Sequence, residues 1–180
     1  MNKSVQKLMF VMSVLGAIST LGGCASPANR EAMQAAPVAS LHQSEHSVAV
    51  RTSGGGDTGA MDSSNIADAD FKSAIESSIT QSGVFKTVIQ GSGADYELSV
   101  SLVRLSKPLA GFSMTVTMED AWSLIRASDK SVVWRKPITS TFTAGMGDAF
   151  AGVTRLRMAV EGAARENIAQ GLKEISDLKL

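Results

Sequence analysis

Three long stretches of this chain alternate apolar and polar residues with a period of two, and that pattern restricts the fold more than any other feature. Tyr96, Leu98, Val100 and Leu102 are separated by Glu97, Ser99 and Ser101. Phe112, Met114, Val116, Met118, Trp122 and Leu124 alternate with Ser113, Thr115, Thr117, Glu119 and Ser123. After the tight turn "ASDK", Val132, Trp134, Ile138 and Phe142 alternate with Arg135, Thr139, Thr141 and Thr143. Successive side chains of a strand point to opposite faces, so these segments predict an antiparallel meander with one buried face and one Ser/Thr-rich face. Pro137 lacks a ladder donor and predicts an edge strand or a bulge in the third segment.

Upstream, "HSVAVRTS" (46–53) reads as a first strand with Val48 and Val50 on one face, followed by a glycine-rich loop. Phe71, Ala74, Ile75 and Ile79 recur at helical spacing, with Asp68 or Asp70 at the entry and Gly83 past the end, which predicts a helix over about 68–82. "VFKTVIQ" resumes strand character. Near the end, Leu156, Val160, Ala163, Ala164, Ile168, Leu172, Ile175 and Leu178 form a stripe of period 3.6, predicting a long helix over about 150–178. Gly162, Ala163 and Gly171 would let it lie close to the sheet, and Glu161 and Arg165 are spaced to pair on its polar side. The order is β-α-β-β-β-β-α. The fold class that follows is α+β, a two-layer sandwich of a mostly antiparallel sheet with two helices on one face.

The N-terminus carries a different signal. Lys3 and Lys7 precede an apolar run from Leu8 to Leu21, the pattern of a secretory signal peptide over 1–23. The run is shorter than the roughly 20 apolar residues of a membrane span. It closes on Leu21, Gly22, Gly23 and Cys24, which resembles the bacterial lipobox. That resemblance implies cleavage before Cys24 and diacylation of its sulfur; an ordinary cleavage site that adjoins a cysteine is the alternative. Ala25 and Ser26 follow, with no Asp after the cysteine, which by resemblance to enterobacterial sorting implies the outer membrane, with the domain facing the periplasm. Residues 24–45, rich in Ser, Ala, Pro and Gln, read as the lipidated cysteine and a flexible tether with a reach of about 25 Å. Residues 46–180 form the single domain.

Charge limits the partners. The chain balances 17 Lys and Arg against 17 Asp and Glu, and loss of residues 1–23 removes only Lys3 and Lys7, leaving a net charge near −2. No basic excess points to nucleic acid or to electrostatic membrane binding. Cys24 is the only cysteine, so the domain has neither disulfide nor thiol site.

The residues offer little chemistry. His42 and His46, the only histidines, lie in the tether and at the threshold of the first strand, without the ligand set of a metal site or a place in a Ser-His-Asp relay. Glu119 and Asp120 are adjacent carboxylates on opposite faces of a strand. Asp120 shares parity with Met118 and Trp122 and points toward the helices, either as a margin carboxylate bonded to an arginine or helix amide or as a weak candidate for binding. "AGMGDAFAG", with Gly145, Gly147 and Gly152, lacks the dinucleotide-loop spacing and reads as a strand-to-helix turn capped by Asp148 or Thr154. "SGGGDTG" lacks the Gly-Lys-Ser/Thr of a phosphate loop. Arg155, Arg157 and Arg165 among Glu161, Glu166 and Glu174 read as a solvated helix face of mixed sign. No cofactor is expected.

Lipobox, tether and element order together resemble small periplasm-facing lipoproteins: the auxiliary lipoproteins of ABC-type transporters, the lipopolysaccharide-assembly lipoprotein and the amino-terminal domain of the TolB-like group. "GADYELSVSLVRL", "GDAFAGVTRLRMAVEGAARENI" and the final "GL" resemble a group of uncharacterised proteobacterial lipoproteins, some members of which carry the label UDP-N-acetylglucosamine acyltransferase. Acyltransferases of that name build a left-handed β-helix from hexapeptide repeats and use a catalytic histidine, and this chain has no such repeat. The first expectation is therefore a non-enzymatic envelope lipoprotein, an accessory or assembly subunit acting through contacts with an envelope protein. A lipid- or glycan-binding module, with an apolar cavity near Met114, Met118 and Trp122, is the second. Acyl transfer is the third.

Overall fold

The computed structural model describes residues 25–37, 42–59 and 62–180. The expected signal peptide, Leu21, Gly22, Gly23 and Cys24 lie outside them. The elements are α1 (Arg30–Met33), β1 (Ser44–Ser53), α2 (Asp68–Ser82), β2 (Phe85–Val88), β3 (Tyr96–Ser106), β4 (Met114–Arg126), β5 (Val132–Ala144) and α3 (Gly152–Ser176). They form an α+β sandwich with a five-stranded sheet in the order β2-β1-β3-β4-β5.

The alternating segments pair as a meander. Leu98 lies opposite Leu124 and Val100 opposite Trp122, while Val116 faces Phe142 across β4 and β5. Val48, Val50, Leu98, Val100, Val116, Met118, Trp122 and Leu124 are buried on one face, under the helices. The other face carries polar cross-strand pairs: Thr115 with Thr143 at 2.9 Å, Thr117 with Thr141 at 3.2 Å and Arg51 with Glu97 at 3.0 Å. β1 runs parallel to both of its neighbours, and β5, which holds Pro137, is an edge strand. A shift of register between Leu102 and Arg104 places Val103 outside the ladder, so inward parity passes from Leu102 to Leu105.

Both helices match their apolar stripes. Gly83 ends α2 in the left-handed region at φ 66°, its N–H donating to Ile79 O at 2.9 Å. In α3, a Cβ on Gly171 would lie 2.7 Å from the Trp122 ring, and one on Gly162 would clash with the Phe142 ring; only glycine admits so close a contact.

Five expectations change. The segment 25–37 is not free coil. Ala28, Met33 and Ala35 are buried in the core, Asn29 caps α1 by accepting from Glu31 N and Ala32 N, and Ala35 N donates to Ser78 Oγ at 3.0 Å. This short piece lies along α2 and α3 and covers polar side chains read as solvated. Glu161 is buried and accepts from Asn29 N at 2.9 Å, and Arg165 donates to Ala32 O at 3.0 Å. Arg165 therefore does not take the expected partner; Glu161 pairs with Arg157 at 3.5 Å. Neither Asp148 nor Thr154 caps α3, because the N-cap is Ala151 and Asp148 instead accepts from Gly145 N at 2.7 Å. Phe112, expected in the buried stripe, precedes β4 and is exposed.

Candidate functional site

Asp120 sits where its parity placed it, on the inward face of β4 between Met118 and Trp122, opposite Leu102 on β3 and Ile138 on β5. It is at full depth, not at the layer's margin. Its exposure is 0 %, and neither carboxyl oxygen finds a hydrogen-bond partner among the described residues. The expected arginine or helix amide is not there. Burial disfavours the charged form and pushes the carboxyl up to about 8, so at neutral pH it is protonated. Sealed from solvent, it cannot reach a substrate from this position.

The neighbouring polar cluster is one the sequence did not mark. Trp122 Nε1 donates to Asn167 Oδ1 at 2.9 Å; Asn167 Nδ2 donates to Ile138 O at 3.0 Å and to Ser140 Oγ at 3.4 Å; Ser140 Oγ donates to Ala163 O at 2.7 Å. Every member is buried, and together they fix α3 against β4 and β5. Asn167 interrupts no apolar stripe, so the only sequence signal was the indole N–H of an inward-facing Trp122, which needs an acceptor.

Two ends of the sandwich differ in chemistry. At the end where β1 and β3 begin, His46, Asp95, Tyr96, Arg126 and Ser128 line an open groove of about 410 Å³. Asp95 accepts from both Ser47 N and Ser47 Oγ at 2.8 Å, which holds its carboxyl below the usual range, and His46 Nδ1 lies 3.7 Å away. The Ser47 hydroxyl thus spends its proton on Asp95 and not on His46, which is the wrong order for a nucleophile relay. Among the described residues no group of three His, Cys, Asp or Glu side chains could hold a metal ion.

The opposite end holds the loops 107–113 and 145–151. Arg155, expected in solvent, is buried there and joins them: Nη1 donates to Ala149 O at 2.9 Å and Phe150 O at 2.5 Å, and Nη2 to Gly111 O at 3.2 Å. Leu109, Phe112, Met146, Phe150 and Val153 project outward around this clasp. The glycines of "AGMGDAFAG" serve this turn; Gly145 N is tied to Asp148, and no phosphate cradle forms among the described residues.

No protein-family model matches the chain, and no curated protein matches it. Several solved structures share its fold. A Xanthomonas campestris protein of the DUF330 family superposes with a TM-score of 0.63 at 16% identity, covering 83% of this chain and 92% of that one. PelC from Paraburkholderia phytofirmans, crystallised as a dodecamer, gives 0.53 at 17% identity, covering 80% and 96%. A Caulobacter crescentus protein provisionally classed as a lipoprotein gives 0.50 at 16% identity, covering 71% and 87%. At these identities the likeness establishes the fold.

Proposed function

We propose that this chain is a lipid-anchored bacterial envelope protein, held through Cys24 in the outer membrane and facing the periplasm, that acts by protein contact as an accessory or assembly subunit. The observation that carries this reading is the contrast between a filled interior and an open edge. Met118 and Trp122 are fully buried, and Gly171 is pressed onto the Trp122 ring, so side chains fill the space a carried lipid or glycan would need. Acyl transfer has no support from the described groups, since the carboxyl of Asp120 on the sheet's inward face is sealed. Outside, β5 presents one edge over Val132–Ala144 that no described strand pairs with, beside the Thr-rich face, and such an edge accepts a partner strand. The fold shared with a lipoprotein-like protein and with a protein crystallised as a dodecamer is compatible with this mode of action.

Affinity purification from gently solubilised, crosslinked membranes tests the reading. A reproducible set of envelope proteins, retained by native protein and lost in Cys24→Ala, is the expected result. Recovery of abundant porins and bulk lipid alone overturns the contact role, and an N-terminal peptide without acyl mass on Cys24 overturns the anchor.

A further inference from the structure

The loop end of the sandwich gathers most of the large exposed apolar side chains among the described residues. Leu109 is fully exposed, Phe112 is 82% exposed and Phe150 89%, with Met146 and Val153 about half exposed beside them. Such a group on a water-facing surface marks a contact site. The tips are also held in place. Arg155 donates to carbonyls in both loops, so Phe112 and Phe150 stand on one braced platform.

The start of the described chain identifies what covers it. Ser26 O accepts from Ser64 Oγ at 2.8 Å, and Ser64 O accepts from Lys107 Nζ at 2.9 Å. Lys107 is the first residue of the loop that carries Leu109 and Phe112. From Ser26 the chain runs away from this end, past Glu161 and Arg165 of α3, to Ser78 of α2. Cys24 lies two residues before Ser26, within about 7 Å of extended chain. The described chain therefore begins at the loop end, close to Lys107. Of the long tether that residues 24–45 suggested, the described piece 25–37 is packed against α2 and α3 through Ala28, Met33 and Ala35.

We propose that this end is a bilayer-contact surface, in which Leu109, Phe112, Met146 and Phe150 enter the leaflet that holds the acyl chains of Cys24. The proposal rests on the anchor reading above. Insertion of apolar loops adds contacts to the acyl chains and fixes orientation: the strands stand across the membrane plane, the β5 edge faces sideways, and the groove beside His46 and Asp95 points into the periplasm. Loops 107–113 and 145–151 carry Lys107 and Asp148 as charged residues, and the adjoining 54–67 loop adds Asp57 and Asp62, with Asp62 near Lys107, so no basic patch makes the contact depend on anionic lipid.

The test uses mature lipidated protein, with Phe112→Trp and Phe150→Trp made singly, reconstituted in phosphatidylethanolamine vesicles with and without brominated acyl chains. Both positions are exposed, so neither change disturbs the core. Emission from unsubstituted protein supplies the background of Trp122 and Trp134. Acyl mass on Cys24 together with a blue-shifted introduced indole that loses about half its emission to brominated lipid is the expected result. Acyl mass with an indole that stays water-exposed and unquenched overturns the bilayer contact while the anchor reading stands. Burial of the indole only when a second protein is crosslinked to it also overturns it, in favour of a protein surface. Absence of acyl mass on Cys24 overturns both.

Discussion

Asn167 and Asp120 are polar side chains buried to the same depth in the seam between sheet and helices, yet they meet opposite fates. Asn167 uses its oxygen on Trp122 and its amide on Ile138 O and Ser140. Asp120, two residues along the strand from that same tryptophan, has Leu102 and Ile138 as its flanking strand partners and no hydrogen-bond partner among the described residues. Burial of a polar group is tolerable when each donor and acceptor is matched; an unmatched carboxyl can shed its charge only by taking up a proton. One position ties the layers together, and the other stores instability in them.

The largest expected effect follows from that proton. In the folded chain Asp120 titrates near 8, against 3.8 for an ordinary Asp. Below pH 3.8 both states are protonated and no penalty exists. Between those values the folded state holds the proton that the unfolded state has lost, so stability falls as pH rises; above about 8 the decline stops. At about 1.4 kcal/mol per pH unit, the penalty reaches about 4 kcal/mol near pH 7. Asp120→Asn, which cannot ionise, is expected to stabilise the domain by about that much at about pH 7 and by almost nothing at about pH 4. Urea melts of both proteins across this range check it. Parallel pH curves would mean that a partner satisfies the carboxyl and would erase the contrast.

Asn167→Ala should act in the opposite direction. It strips the acceptor from the buried Trp122 N–H and the donor from Ile138 O, and is expected to destabilise by about 2 to 3 kcal/mol at every pH. Guanidinium melts followed by Trp122 emission report it. A cost below about 0.5 kcal/mol would show that the network orients the helix without stabilising it.

This pair also marks where sequence reading succeeds. The β3–β5 meander was legible because the alternation recurs over three long segments, despite the register shifts after Leu102 and Leu124, and the end of α2 because Gly83 supplies the left-handed cap. Asp120 was legible in direction but not in depth: parity gives the face, whereas burial depends on Leu102, Ile138 and the helices above. Asn167 was illegible because a polar residue within a helix carries no mark of which atoms await it on the sheet. The segment 25–37 misled for a related reason. Ala28, Met33 and Ala35 have no periodicity to announce packing, and their burial depends on α2 and α3 already lying in place. Arg155 likewise follows the pattern of a surface helix, and only the fold brings it beneath two loops.

Gly171→Ala sharpens the comparison by moving the helix instead of the polar groups. Its methyl would meet the Trp122 ring at 2.7 Å and push α3 outward, with an expected cost of about 2 kcal/mol offset in part by the better helix former. Thermal melts measure it, with Gly147→Ala, whose Cβ would meet nothing within 4 Å, as the reference. Beside Asn167→Ala the two costs should not add, since a helix displaced from Trp122 has already weakened the Asn167 contact.

Ser140→Ala is the smallest of these changes and tests how far the satisfied side of the seam extends. Its hydroxyl donates to Ala163 O at 2.7 Å but accepts from Asn167 at 3.4 Å, near the limit for such a bond. If the short bond matters and the long one does not, removal costs about 1 kcal/mol, and the double-mutant cycle with Asn167→Ala shows almost no coupling. Coupling of about 1 kcal/mol would instead join β4, β5 and α3 through one continuous chain of bonds. Asp120 would then stand outside a network that spans the seam around it. Its isolation would in that case belong to its own place on β4, between Leu102 and Ile138, and not to a poorly knit interface.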